Sequence, residues 1–378
     1  MRISIHQSID EIPASQWNRL VKDHNPFVNH GFLLAMEQHQ CVGEQFGWFP
    51  LHIGVHEEGS LVAAMPLYRK TNSYGEFVFD HAWSDAWQRA GLSYYPKLVS
   101  AVPYTPATGQ RLLCEPGRED ELQPLLLDTA LQLVATQNFS GLHILFPDAS
   151  EQTFLQGQNL ISRHDCQYHW HNRQYADFAD FLSRLTARKR KNIRRERERA
   201  LRSGVQLRCL DGHSATDQDW HDFTRFYNQT FAEKWGMATF NFGFFSQVAA
   251  AMPDQILLVL ADMGNDCIAG ALMYKSDHTL YGRHWGSTRH IDSLHFEACY
   301  YQGIEYCIAN GLQHFEPGAQ GEHKIARGFE PSLTRSFHWL QEERFRIPVT
   351  RYCEQEKAAV AEYMAELGSA YAYRTEEQ

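Results

Sequence analysis

The sequence predicts an α/β chain of two tandem mixed-sheet units joined by one basic helix. Three observations predict it: an internal repeat, the same order of strand and helix signals in both copies, and an intensely basic stretch between them. "SGLHILFPDA" (Ser140–Ala149) aligns with "NGLQHFEPGA" (Asn310–Ala319) at an offset of 170, placing Gly141 on Gly311, Leu142 on Leu312 and Pro147 on Pro317. "YHW" ending at Trp170 matches "FHW" ending at Trp339 at an offset of 169. Upstream, "VAAMPLYRKTNSYGEF" (Val62–Phe77) resembles "IAGALMYKSDHTLYGRH" (Ile268–His284), offset by 206 to 207. Three segments in one order mark a duplication. The fall in offset places an insertion in the first copy, at 81–112. The expected division is a first domain at 1–172, a basic linker helix at 173–204, a second domain at 205–345 and a C-terminal helix at 346–378.

Each copy reads alike. A strand opens it ("RISIH"; "VQLRCL"), then a helical region ("ASQWNRLVKD" with "GFLLAMEQH"; "DQDWHDFTRFYNQTF" with "FGFFSQVAAAM"). Two or three strands follow across polar turns, with Gly59-Ser60 and Gly264–Asp266 supplying the hairpin chemistry. Next comes a helix with apolar residues three to four apart, "DELQPLLLDTALQLVATQN" or "LHFEACYYQGIEYCIAN". Each ends just before a glycine or Ser-Gly, as a C-cap requires. A short strand and a closing strand finish the unit. Helices on a mixed sheet bury both kinds of apolar face.

Composition narrows the class. At 43% hydrophobic, 378 residues are enough for a sizeable core, and the net charge of −10 argues against general coating of nucleic acid. The eight cysteines are scattered with no Cys-x-x-Cys pair, which excludes a zinc or disulfide framework and fits a reducing compartment. The twenty histidines are spread too widely to argue for a metal. No apolar run approaches the roughly 20 residues of a membrane helix, and the opening "MRISIHQSIDEIP" has no apolar leader core. The expected compartment is the cytoplasm.

Against that acidic background, Thr186–Gly204 holds nine Lys or Arg and two Glu, a local +7 that leaves −17 for the rest. As a helix, it places Arg188, Arg195, Arg199 and Arg202 along one side with Lys191 and Arg194 flanking. Ile193, Ala200 and Leu201 form a narrow apolar seam. Three roles stand open: contact with a tRNA backbone, arginines on the diphosphate of a precursor, or a linker paired to an acidic surface.

Three stretches resemble the GNAT acyltransferase superfamily, and more nearly its Fem-type branch, which carries two GNAT-like domains in one chain. They are "FLSRLTARKRKNIRRERERALRSGV", "DSLHFEACYYQGIEYCIANGL" and "FEPGAQGEHKIARGFEP". With "NPFVNHGFL" and "YYPKLVSAVPYTP", they resemble a bacterial FemAB-like family labelled peptidoglycan biosynthesis or recognition. The resemblance covers nearly the whole chain. It implies tandem GNAT-like domains and transfer of an acyl group to an amine of a small-molecule or cell-wall-precursor acceptor. The implied donor is aminoacyl-tRNA or, as in ordinary GNAT enzymes, an acyl-CoA. The other reading is a non-catalytic module for a phosphate-bearing ligand, a muropeptide precursor or tRNA. The phosphate-cradling loop of acetyl-CoA enzymes is met only in degenerate form, at Arg283–Thr288 and Gln88–Ser93.

Acyl transfer to an amine needs a proton acceptor, an oxyanion stabiliser and a means of holding both reactants. "EPGAQGEHKIARG" is the best candidate, with Glu322, His323 and Lys324 as catalytic residues and Glu316 and Arg327 as substrate-binding ones. If Glu322 opens a helix, His323 and Arg327 share a face. At offset 170, Glu322, His323 and Lys324 face Gln152, Thr153 and Phe154, and Arg327 faces Gly157. The ionisable set is therefore confined to the second copy, which marks the second half as active. Tyr281 and Arg283 are expected on one strand face and His284 on the other. His338 and its repeat mate His169 each sit beside a Trp, which reads as structural. Arg188, Lys191 and Arg195 are the phosphate-binding candidates of the basic helix. In the insertion region, Asp80, Trp83 and Tyr95, with Glu76, Tyr94 and Lys97 nearby, read equally as a substrate wall or a core edge.

Overall fold

The computed structural model describes residues 1–233, 236–319, 321–368 and 371–374. The chain divides into two units. Unit 1 is Met1–Asp165 with Leu333–Glu362, and unit 2 is Cys166–Ser332 with Tyr363–Gln378.

Unit 1 contains β1 (Arg2–His6), β2 (Trp48–Pro50), β3 (His52–Glu57), β4 (Ser60–Met65), β5 (Tyr68–Lys70), β6 (Lys97–Ser100), β7 (Leu113–Cys114) and β8 (Gly141–Leu145). β1, β3, β4 and β7 form a four-stranded sheet in that order. β2 pairs β5, β5 pairs β6, and β6 runs parallel to β8 with Leu98 opposite Leu142. The helix Glu119–Thr136 begins on three carboxylates, which suit the positive end of its dipole. Its Leu122, Leu126, Ala130 and Val134 recur every four residues and pack on Leu98, Leu142 and Ile144.

Unit 2 is built from β9 (Ile161–His171, from Cys166 on), β10 (Gln206–Leu210), β11 (Ile256–Met263), β12 (Asp266–Lys275), β13 (Thr279–Ser287) and β14 (His314–Glu316). Neighbours run β10-β11-β12-β13-β14-β9. The pairings are antiparallel except β13 with β14, which are parallel over Thr279–Tyr281 and His314–Glu316. The helix Asp217–Glu233, with Phe242–Ala251 packed against it, lies over β12 and β13 so closely that a Cβ at Gly286 would meet the Phe226 carbonyl oxygen at 2.2 Å. Leu257, Val259, Met273, Tyr301, Ile304 and Phe315 share one core with Ile193 of the basic helix.

Each repeat thus yields a hairpin, a helix and a parallel pair, β6–β8 and β13–β14. The closing strands depart from the expected division. β15 (Glu330–Leu340), read as the end of the second copy, pairs with β8 of unit 1 from Ser336 to Leu340. The end of β9, read as the close of the first copy, pairs with β14 of unit 2. The basic helix, Ala187–Arg202, expected as a linker, belongs to unit 2. The expected insertion includes a sheet strand, β6. The C-terminal helix begins at Glu343 and ends at Gly368; positions 369–370 and 375–378 of the expected 346–378 lie outside the described residues.

Candidate functional site

In unit 2 the segment after β14 turns sharply. Gly318 and Gly321 take φ of 94° and 117°, values that an L side chain would strain. Glu322–Arg327 then forms a 3₁₀ helix closed by Gly328 at φ 88°. The expected α-helical face is therefore not made: at three residues per turn, Lys324 and Arg327 stack and His323 is offset. Lys324 and Arg327 are buried, whereas Glu322 and His323 are exposed.

Lys324 is 2% exposed, and its Nζ donates to the Gly318 carbonyl at 2.6 Å. Among the described residues no carboxylate pairs with it. Burial lowers its ammonium to about 8, against a small opposing pull from Cys299. The His323 ring folds over Gly321, where a Cβ would lie 2.4 Å from the ring, and its Nε2 meets the Tyr300 hydroxyl at 3.0 Å. Burial, then Arg327 and Lys324, hold His323 below the usual imidazole range. Arg327 donates to Glu196 at 2.8 Å and to the His323 carbonyl at 2.7 Å, and lies 3.5 Å from the centroid of the Phe296 ring. Glu322, expected beside the others, instead accepts from the Tyr363 hydroxyl at 2.6 Å on the outer side.

The support for this segment comes from residues the sequence reading left unassigned. Glu196 of the basic helix accepts from both Arg327 and the Tyr301 hydroxyl. Arg197 bridges Glu297 at 2.9 Å and Glu305 at 2.7 Å. Glu297–Tyr301 is a π-helical turn, a geometry that clusters at functional sites, and it places Tyr300 toward His323 and Tyr301 toward Glu196. A Glu set among nine cations was the available signal for an inward-facing position.

A cavity of about 130 Å³ opens where β14 ends, bordered by Gly282, Arg283, Trp285, Cys299, Tyr300 and Pro317. Tyr300 thus links the cavity to His323. Tyr281 is buried and stands opposite Glu316 in the parallel ladder. The expected alternation along β13 fails at Arg283: Met273 faces Gly282 and Leu272 faces His284, so Arg283 is the extra residue of a bulge. Burial lowers its guanidinium to about 10. His284 packs 5.1 Å from Tyr227, inside the helical layer. The degenerate phosphate loops are also something else. Arg283–Ser287 is strand, with Gly286 held by packing, and Gln88 and Arg89 end the helix His81–Arg89.

On the basic helix, Arg188, Lys191 and Arg195 are exposed and make no salt bridge among the described residues, while Ile193 and Ala200 face inward. Arg199 reaches Asp292 at 3.2 Å. In unit 1, Asp80 and Trp83 are interior and Tyr95 is half-buried. The Lys97 ammonium is fully enclosed and bridges Glu76 at 2.7 Å and Asp80. Asp80 also accepts from the Tyr94 hydroxyl and from Ser73, each at 2.6 Å, and Ser73 meets the Tyr95 hydroxyl.

A hairpin, then a helix between two parallel strands, repeated once, defines a tandem GNAT-fold protein. The chain belongs to the FemAB_like family, described as peptidoglycan biosynthesis/recognition, whose model matches residues 8–375. Among solved structures, FemX superposes at a TM-score of 0.55 and 10% identity, over 93% of this chain and 100% of FemX. The C-terminal domain of a protein assigned as a lysylphosphatidylglycerol synthetase, from Agrobacterium fabrum, superposes at 0.56 and 8% identity, over 89% and 93% of the two chains. These likenesses are ones of fold. A search of curated proteins returned no match. Among the described residues, no helix is long and apolar enough to cross a membrane.

Proposed function

We propose that the chain transfers an acyl or aminoacyl group to an amine of a cell-wall precursor, with the chemistry at the Glu322–Arg327 turn of unit 2, beside the cavity that Tyr300 borders. The observation that carries this reading is Lys324, a buried ammonium with no carboxylate partner among the described residues. Burying an unpaired charge costs stability, so such a group is kept for an anion that arrives or develops there. In acyl transfer that anion is the oxyanion of the tetrahedral intermediate. The amine nitrogen attacks the donor carbonyl, and neutral His323, oriented by Tyr300, takes the amine proton. The C–O or C–S bond to the donor then breaks, and His323 returns the proton to the departing alcohol or thiol. Arg327, braced by Glu196 and Phe296, holds the His323 main chain in place. The exposed cations Arg188, Lys191 and Arg195 suit a phosphate-bearing donor such as aminoacyl-tRNA, or the diphosphate of the precursor. Membership of a peptidoglycan-related family supports the acceptor class.

The pH profile tests the two roles together. His323 must be neutral, so kcat/KM rises through its pKa, which lies below 6.5. Lys324 must be charged, so activity falls as pH passes about 8. Lys324→Arg is expected to keep measurable activity and move the alkaline limb upward; an unmoved limb contradicts the assignment. For the basic face, each phosphate contact contributes roughly 0.7–0.9 to the slope of log Kd against log salt. The triple variant R188E/K191E/R195E is expected to flatten that slope by about 2 for an aminoacyl-tRNA pool. An unchanged slope removes tRNA from this face.

A further inference from the structure

A second chemically organised group lies in unit 1, independent of the site above. One face of its sheet is polar where a covered face is ordinarily apolar. Lys97 on β6, His143 on β8 and Ser336 and His338 on β15 are all 3% exposed or less, beneath Trp83, Trp87 and Tyr94. They form one hydrogen-bonded chain. Ser336 Oγ meets His338 Nε2 at 2.8 Å, and His338 Nδ1 meets His143 Nδ1 at 2.7 Å. His143 Nε2 lies 3.5 Å from the Tyr94 hydroxyl, which donates to Asp80 at 2.6 Å.

The far end of the chain sets its direction. Ionised Asp80, paired with Lys97, can only accept, so the nearby Tyr94 O–H is committed to it. The phenol oxygen is then left to accept from His143 Nε2–H. A neutral imidazole carries one N–H, so His143 Nδ1 is bare and accepts the His338 Nδ1–H. His338 Nε2 is bare in turn, and the Ser336 hydroxyl donates to it. Burial keeps both imidazoles neutral, with His143 lowered to about 3 and His338 held well below the usual imidazole range. The repeat marked His338 as structural, yet its mate His169 pairs with Gln167 instead of a hydroxyl.

Ser336 also borders a cavity of about 230 Å³, with Arg163, His164 and Arg335. Arg335 Nε is buried with no hydrogen-bond partner among the described residues. A hydroxyl donating to a bare imidazole nitrogen, with that imidazole oriented by a third group, is the arrangement of an activated nucleophile.

We propose that Ser336 is an acyl-accepting nucleophile for an ester or thioester small enough to enter this cavity. Its Oγ forms a bond to the carbonyl carbon, and the C–O or C–S bond of the donor breaks. The hydroxyl proton passes to His338 Nε2 and from there to the departing alcohol or thiol. An amine or water then attacks the ester, the C–Oγ bond breaks, and a proton from the attacking group returns to Oγ by way of His338. His143, Tyr94 and Asp80 are positioning residues that fix the tautomer of His338.

The test treats the full chain with diisopropyl fluorophosphate and maps the adduct by peptide mass spectrometry. The expected result is one adduct, on Ser336, absent in Ser336→Ala with an unchanged unfolding midpoint. Tyr94→Phe removes a single oxygen and is expected to slow labelling at Ser336 at least tenfold without moving the labelled residue. No adduct on the wild-type chain, or labelling that persists in Ser336→Ala, overturns the nucleophile. An unaltered rate in Tyr94→Phe overturns the relay.

Discussion

Lys324→Met is expected to lower kcat for acyl transfer by about 10²–10³-fold, the loss typical of removing one oxyanion donor. The thermal midpoint is expected to stay level or rise. Among the described residues Nζ makes a single hydrogen bond, to the Gly318 carbonyl, and no carboxylate loses a partner. Methionine fills a similar volume without the cost of an enclosed charge. A gain or tie in stability with a loss of activity is the signature of a group retained for function. Kinetics and a melting curve on the same preparation check both halves. Full turnover in Lys324→Met removes the assignment, and a collapse of stability would recast Lys324 as structural.

The same exchange at Lys97 is expected to do the opposite. Lys97 is fully enclosed and bridges two carboxylates that are themselves nearly inaccessible. Burial pushes Glu76 up to about 7 against the pull of Lys97, while Lys97, working against burial, holds Asp80 well below the usual range. Lys97→Met strands both acids in the interior. Breaking a buried pair from one side costs about 3–5 kcal/mol, so the melting point should fall steeply. Neutralising the stranded acids, in Lys97→Met/Glu76→Gln/Asp80→Asn, is expected to recover much of that loss, because a neutral core group costs less than an unpaired charge. A Lys97→Met protein as stable as the wild type would show that the triad contributes nothing. The two lysines look alike in sequence and differ only in their partners.

That difference explains which parts of the molecule were legible in advance. The repeat exposed both hairpins and the helix that follows each, because strand and turn signals are local and survive duplication; the parallel pairs were not visible, and β6 lay inside the expected insertion. Apolar spacing and charge likewise placed the basic helix. Partner choice is not local. Nothing in "FHWL" says that it will pair with "GLHIL" of the earlier copy, so the exchanged closing strands were missed. The bulge at Arg283 was missed for the same reason, since period-two alternation assumes an uninterrupted register. Lys324 and His323 were visible as an ionisable set confined to one copy. Glu196, which anchors Arg327, was hidden in a run of arginines because its role rests on a residue 131 positions away. In and just before the insertion, Lys97 and Asp80 stood out as charged residues among aromatics, but only packing shows that they face each other.

The most direct test of the central claim is transfer of label. The wild-type chain is incubated with a uridine-diphosphate-linked peptidoglycan precursor and either a radiolabelled aminoacyl-tRNA pool or radiolabelled acetyl-CoA. The account predicts amide-linked label on the precursor from one donor, and loss of at least about 99% of the initial rate in Lys324→Met, the lower bound of the range typical for an oxyanion donor. Label transferred equally well by Lys324→Met, or precursor bound by the wild type with no transfer from either donor, would contradict it.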